Sequence, residues 1–259
     1  MHRILFQAGP FTLYTYGFFV ALGFLLAMVL IGRDSKKIGL EKNKVFDCLI
    51  AVLIGGLAGG RLLFVILNWH LFRNDIARIV MINEGGMAVQ GAMLMGVLSG
   101  AVAARVKRIP FWKTADLFAP YMALGQSVGR VGCFMNGCCY GKAVSSGVRV
   151  TFPGDEVSRI PVQLYSSFSL LAICIILLLL RKKRYFDGHA FALYLLLYSV
   201  YRFFMDFMRA DNPPVFGSMS LSQIISIGTF FTGIALYMIL RRYSLLNRDG
   251  EYTQLKTRD

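Results

Sequence analysis

VQLYSSFSLLAICIILLLLRKKR, residues 162–184, decides the fold class. Every side chain from Leu170 to Leu180 is apolar, and an unbroken basic run, Arg181 to Arg184, follows. A bilayer core about 30 Å thick takes roughly 20 apolar residues in a helix. A basic run straight after such a stretch marks its cytoplasmic end. Working outward, comparable stretches occupy 12–32, 46–68, 86–106 and 115–135 before it, with 189–208 and 219–240 after it. The whole chain of 259 residues is 56% hydrophobic and 16% charged, against about 45–50% and about 25% for a soluble domain. A disordered protein, a disulfide scaffold and an ordinary cytosolic enzyme are excluded on those grounds. The expected fold is an all-α membrane protein of about seven transmembrane helices, a single polytopic domain over 1–259. The fourth stretch is the weakest, because it holds Asp116, Pro120, Gln126 and Arg130. Six spans with a re-entrant segment is the alternative, but seven fits the charges better.

The net charge is +14. The basic residues lie beside apolar runs, which suits anionic lipid headgroups and a positive-inside bias rather than nucleic acid. With the N-terminus outside, 18 of the 28 Lys and Arg fall in inside segments, 7 in outside segments and 3 within spans. The opposite orientation would place the larger group outside. The C-terminus and the tail 243–259 are then cytoplasmic, and the longest outward loop is 136–161, with Val148 to Phe152 a candidate short strand. The first apolar run is too long for a signal-peptide core and is read as a retained span. No internal repeat is visible, which argues against an inverted-repeat transporter.

Charges inside spans cost about 2.5–3.5 kcal/mol each on insertion scales and face the bundle interior or a wet cavity. Arg61, Arg130 and Arg202 are such residues, with Asp116 and Asp206 as candidate partners. YSVYRFFMDFMR, 198–209, places Tyr198, Arg202, Asp206 and Arg209 on one helix face, a pattern for an anionic ligand or for a structural ion pair. Arg130 stands in GRVGCFMNGCCYG, 129–141, where glycines let the backbone turn and an arginine can grip a phosphate through two bonds. The glycines at 55, 56, 59 and 60 fit close helix packing, with backbone approach to a ligand as the alternative. Cys133, Cys138 and Cys139 form C-x4-C-C, which is no established zinc spacing. Small, soft residues lining a cavity is the expectation, with a disulfide as the alternative and no metal or cofactor. His2, His70 and His189 fall in no catalytic motif, and His70 alone is a candidate base.

These motifs carry a resemblance. From about Phe11 to Arg242 the chain resembles the bacterial phosphatidylglycerol–prolipoprotein diacylglyceryl transferases, most specifically in GRVGCFMNGCCYG, which looks like the family's GRxGNFxNGExxG signature. YTYG (14–17), GGRLLF (59–64), EGGMAVQGA (84–92), FPG (152–154), IPVQLY (160–165), YRFFMDFMR and SLSQIISI (220–227) follow the family's order. The resemblance implies a multi-pass enzyme of the bacterial inner membrane with an external N-terminus. It implies phosphatidylglycerol as donor and the lipobox cysteine of a preprolipoprotein signal peptide as acceptor. A thioether forms and glycerol 1-phosphate leaves. Tyr16, Arg130, Gly141 and Arg202 match functional family positions, and Asp206 stands where the family has Glu. The departures are Gln90 for the family's histidine, Cys133 for Asn, Cys138 for Glu, and Ser166 for the Glu after QLY. The expected catalytic residues are Arg130, Arg202, Tyr16 and Gln90. The expected substrate-binding residues are Arg61, Cys133, Asn136, Cys138, Gly141, Gln163, Tyr198, Asp206 and Arg209. A monomer working on membrane lipids is expected. A transferase with another acceptor and a non-catalytic lipid-binding or transport protein are the alternatives.

Overall fold

Each of the seven apolar stretches folds as an α-helix in the computed structural model, which describes all residues except 1–3, 9–10, 74, 82–84, 154, 182–184 and 257–259. The helices are α1 Thr15–Lys37, α2 Lys42–Leu67, α3 Val89–Val106, α4 Phe111–Asn136, α5 Val162–Leu180, α6 His189–Phe207 and α7 Leu221–Lys256. α1, α2, α5, α6 and the part of α7 from Leu221 to Leu246 are long and apolar enough to cross a membrane. The apolar part of α3, Gln90–Val106, is shorter. α4 has 26 residues and stays helical through Pro120. The molecule is a mostly helical, multi-pass membrane protein. Part of the basic run after α5, residues 182–184, lies outside the described residues, as do Arg3, His2 and Arg258.

Among the described residues, one short hairpin precedes α1, β1 Ile4–Ala8 with β2 Phe11–Tyr14, and two lie between helices, β3 Val150–Thr151 with β4 Ser158–Arg159 and β5 Pro214–Phe216 with β6 Met219–Ser220. The strand expected at 148–152 shrinks to two residues. The first expected span loses its opening residues to β2, because Phe11 to Tyr14 pair antiparallel with Ile4 to Ala8.

The chain forms two compact units, Gly32–Thr114 and Met1–Ile31 with Ala115–Asp259. In the first, α2 and α3 run antiparallel and meet through glycines. A Cβ on Gly59 would meet the Gly91 carbonyl at 2.5 Å, and one on Gly91 would reach Leu63 Cβ at 2.6 Å as well as the Gly59 carbonyl. Helix packing therefore accounts for this glycine face, as small residues do in membrane helix pairs. Gly91→Leu is expected to cost about 1–3 kcal/mol through overpacking against backbone. The check is a lowered thermal midpoint in detergent, with Gly228→Ala, whose added Cβ meets nothing within 4 Å, unchanged or raised.

In the second unit α4, α5 and α6 close on Ala119, Ala123, Leu170, Ile173, Cys174, Leu177, Tyr194 and Tyr201. Ser127 and Ser167 lock α4 to α5, each hydroxyl donating to the other's carbonyl at 2.8 and 2.9 Å. α1 packs on α4 where Gly23 faces Gly125 and Gly132 faces Phe19. Gly233 lets α7 lie against Leu195 and Leu196 of α6. Asp116, expected as a candidate partner for a buried arginine, accepts from the N–H of Gly188 at 2.8 Å and of Phe191 at 3.0 Å. It caps α6, whose first N–H groups and positive dipole end favour a carboxylate.

Candidate active site

The signature segment ends α4 and then doubles back. Gly137 donates to the Phe134 carbonyl at 3.2 Å and Cys138 to the Cys133 carbonyl at 3.2 Å. Gly137 (φ +70) and Cys139 (φ +59) both take left-handed backbone, which a non-glycine residue adopts only at a cost. The chain is next strapped between the start of α5 and the end of α6. Gly141 donates to Ile160 O at 3.1 Å, Lys142 to Met208 O at 2.9 Å, and Ala210 to Tyr140 O at 3.4 Å. A Cβ at Gly141 would sit 2.7 Å from both Ile160 O and Val162 Cγ2, so only glycine fits the strap. From α5, Gln163 donates through Nε2 to the Cys138 carbonyl at 2.8 Å. Outside the strap, Arg159 stacks on Tyr140 with its guanidinium 4.6 Å from the ring centre. Arg159 also bonds Asp155 and holds that carboxyl below its usual range.

This strap brings α4 and α6 charges together. Arg130, Arg202 and Arg209 lie within one another's electrostatic reach, with Tyr198 beside all three. Arg209 is held in a two-bond fork by Asp211, at 2.9 and 2.6 Å. The Arg202 guanidinium stands 3.7 Å from Asp206, beyond hydrogen-bond range. Asp206 itself is buried and accepts from Asn212 Nδ2 and Ser220 Oγ. Ser220 in turn caps α7, accepting from the N–H of Gln223 at 3.2 Å, while Gln223 Oε1 accepts from the N–H of Ser220 at 3.0 Å. Asp206 is thus the latch that fixes the start of α7. Its removal in Asp206→Ala would leave two donors unsatisfied at about 1–3 kcal/mol each. A thermal midpoint that falls for Asp206→Ala and partly recovers for Asp206→Asn is the expected result.

Arg130 is half-buried, and among the described residues no carboxylate pairs with it. Tyr16, exposed on the first turn of α1, lies within electrostatic reach of Arg130 and of Cys133, Cys138 and Cys139. Asn136 closes α4 next to Cys138. Among the described residues, Gln163 Oε1 and Tyr201 Oη are buried polar atoms without a hydrogen-bond partner. The sequence reading missed Tyr201, although it lies three residues from Tyr198 and within electrostatic reach of Arg130; the repeat of tyrosine along YSVYR was the available signal. Tyr194, Tyr198 and Tyr201 form an aromatic ladder along α6, with ring centres 5.6 and 5.7 Å apart. Gln126 donates to the Tyr194 hydroxyl at 2.8 Å, so that end of the ladder is closed.

Two expected site residues belong to the other unit. Arg61 is 6% exposed, and its N–H groups all go to backbone. Nε bonds Ile79 O at 2.8 Å, one terminal nitrogen bonds Gly85 O at 2.5 Å and Gly86 O at 3.0 Å, and the other bonds Arg78 O at 2.6 Å and Met81 O at 3.1 Å. A guanidinium has five donors, and all are used. Phe72 and Phe64 flank it at 5.3 and 6.0 Å. In this arrangement Arg61 organises the loop before α3. Gln90 is exposed on the first turn of α3, which is tethered where Ala88 donates to Gly60 O at 2.9 Å. His70 lies exposed in a short 3-10 turn, Trp69–Leu71.

A family model described as prolipoprotein diacylglyceryl transferase matches residues 3–239. Among similar curated proteins, a phosphatidylglycerol–prolipoprotein diacylglyceryl transferase 2 of Clostridium perfringens is 33% identical over 244 residues, covering 92% of this chain and 95% of that protein. Phosphatidylglycerol–prolipoprotein diacylglyceryl transferases of Bacillus cytotoxicus (93% of each chain) and Clostridium tetani (93% and 98%) are also 33% identical. With a match along nearly its whole length, this chain belongs to the prolipoprotein diacylglyceryl transferase family.

Proposed function

We propose that the protein transfers the diacylglyceryl group of phosphatidylglycerol to the thiol of a lipobox cysteine in a preprolipoprotein. A carbon–sulfur bond forms at the glyceryl carbon, and glycerol 1-phosphate leaves with the electrons of the broken carbon–oxygen bond. The observation that carries this reading is Arg130, a half-buried guanidinium that no carboxylate pairs with among the described residues, set among Arg202 and Arg209. Such a group can hold a phosphate through two bonds, and its attraction grows as charge develops on the leaving oxygen. Arg202, tethered only loosely to Asp206, can turn toward the same phosphate. Tyr16, within electrostatic reach of Arg130 on the first turn of α1, would contact donor esters or headgroup. In this reading the seven helices span the bacterial inner membrane as one polytopic domain, with the N-terminus outside, and the enzyme works as a monomer.

Gln90 supports one other reading, a transferase with a different acceptor. An amide does not titrate near neutrality and cannot serve as the base that a histidine there would be. Purified protein with phosphatidylglycerol vesicles and a lipobox peptide decides between them. The expected product is the peptide thioether with released glycerol 1-phosphate. Donor consumed without peptide modification would establish the other acceptor, and donor bound without turnover would overturn both readings.

A further inference from the structure

The spacing C-x4-C-C does not predict a metal site, but the fold gathers its thiols. The sulfurs of Cys133, Cys138 and Cys139 all lie within 4.8 Å of one another. A zinc–thiolate bond is about 2.3 Å, so a tetrahedral site needs sulfurs about 3.8 Å apart. The trio therefore has to close by no more than about 1 Å, a rotamer adjustment rather than a refolding. The backbone is already committed to this convergence. Cys133 is buried in the last turns of α4, the Cys138 N–H bonds the Cys133 carbonyl, and the Cys138 carbonyl is held by Gln163. Cys139 accepts a left-handed backbone, and that conformation turns its thiol back to the other two.

We propose that Cys133, Cys138 and Cys139 bind one zinc ion through three thiolates and leave its fourth position for the acceptor thiol. Three protein ligands with one open position is the arrangement of catalytic zinc. Three thiolates around a divalent cation carry one net negative charge, which Arg130 and Arg209 nearby suit. Placement relative to the donor follows from the helix. Cys133 lies three residues after Arg130 on one face of α4, so their side chains are neighbours. A phosphate gripped by Arg130 and a sulfur held on the zinc would then flank the glyceryl carbon between them.

The chemistry balances without a protein base. The acceptor thiol loses its proton to water as it binds zinc, since a coordinating thiol is deprotonated outright. Its sulfur attacks the glyceryl carbon, the carbon–oxygen bond to phosphate breaks, and the electron pair leaves on the phosphate oxygen. The thioether product is a neutral, weak ligand and dissociates. Nothing is oxidised or reduced. This assigns a source for the thiolate in a chain whose family histidine position is Gln90. The acceptor part rests on the proposed transfer reaction; the metal part does not.

The test uses the full chain in detergent. Expected are about one zinc per chain, three thiols that resist alkylation until a chelator removes the metal, and thiolate-to-cobalt charge-transfer bands after exchange with Co2+. Cys133→Ser/Cys138→Ser/Cys139→Ser should bind none. A lipobox peptide should strengthen the cobalt bands, and its Cys→Ser version should not. Three freely reactive thiols with no metal, a disulfide within the trio, or zinc retained in the triple variant would overturn the site. Because thiol protection is read on the wild-type chain, a variant that fails to fold does not blunt the test. Cobalt bands indifferent to the peptide thiol would overturn the acceptor role. Metal binding with no thioether product would instead count against the transfer reaction itself.

Discussion

Arg130→Ala is expected to lower transfer from phosphatidylglycerol by about 10²–10³-fold, the loss seen when one preorganised donor is taken from a developing anion. Among the described residues no carboxylate pairs with the side chain, so its removal should leave the fold intact. An arginine used only in packing gives a different result: the protein would lose stability and keep its rate per folded molecule. Arg130→Lys separates the contributions further. Lysine keeps the charge but loses the planar fork, so donor binding should recover more than the catalytic rate. If kcat/KM for Arg130→Ala stays within a few-fold of the parent while helical content is unchanged, the phosphate does not sit at this residue. Arg202→Ala should lose less than Arg130→Ala, because Arg209 stays in range of the same charge and Arg202 already leans toward Asp206.

The helices were legible because lipid imposes a length and a polarity that local sequence must show. Leu170 to Leu180 can be read without any knowledge of neighbours. Arg130 was legible for the same reason, since a guanidinium in an apolar run announces itself. Partners were harder. Asp116 and Asp206 looked alike, as carboxylates near embedded arginines, yet one caps α6 through two N–H groups and the other latches Ser220 and Asn212. Which donors meet a carboxylate depends on how helices distant in sequence lie together, and no local pattern encodes it. The β1–β2 hairpin was lost to the first apolar stretch because Phe11 to Tyr14 are as apolar as a helix start; only the pairing with Ile4 to Ala8 makes them strand. The gathering of the three thiols within 4.8 Å was not legible in the C-x4-C-C spacing, because two left-handed residues turn the segment back on itself.

GGRLLF and EGGMAVQGA looked like two separate motifs, and Arg61 makes them one. Its guanidinium bonds the carbonyls of Gly85 and Gly86, both at positive φ (+79 and +82), and three more in the 78–81 turn. Backbone carbonyls carry no side-chain signature, so this partnership could not be read in advance. Arg61→Ala is expected to destabilise the Gly32–Thr114 unit by about 3–5 kcal/mol. Each carbonyl stranded without its charged donor costs about 1–3 kcal/mol, but those on the exposed turn regain water, so the full sum is not lost. Arg61→Lys should recover little, because one ammonium cannot span five carbonyls on two sides of a fork. Limited proteolysis gives the local readout, with cleavage between residues 76 and 88 rising sharply in both variants and protection of α2 and α3 falling afterwards. Transfer activity would drop with it, through the lost anchorage of the first turn of α3, where Gln90 stands, whereas Gln90→Ala should leave that loop protected. A stable Arg61→Ala chain with a protected loop and a raised KM for phosphatidylglycerol would reverse the assignment, returning Arg61 to the substrate and leaving the five carbonyls to water.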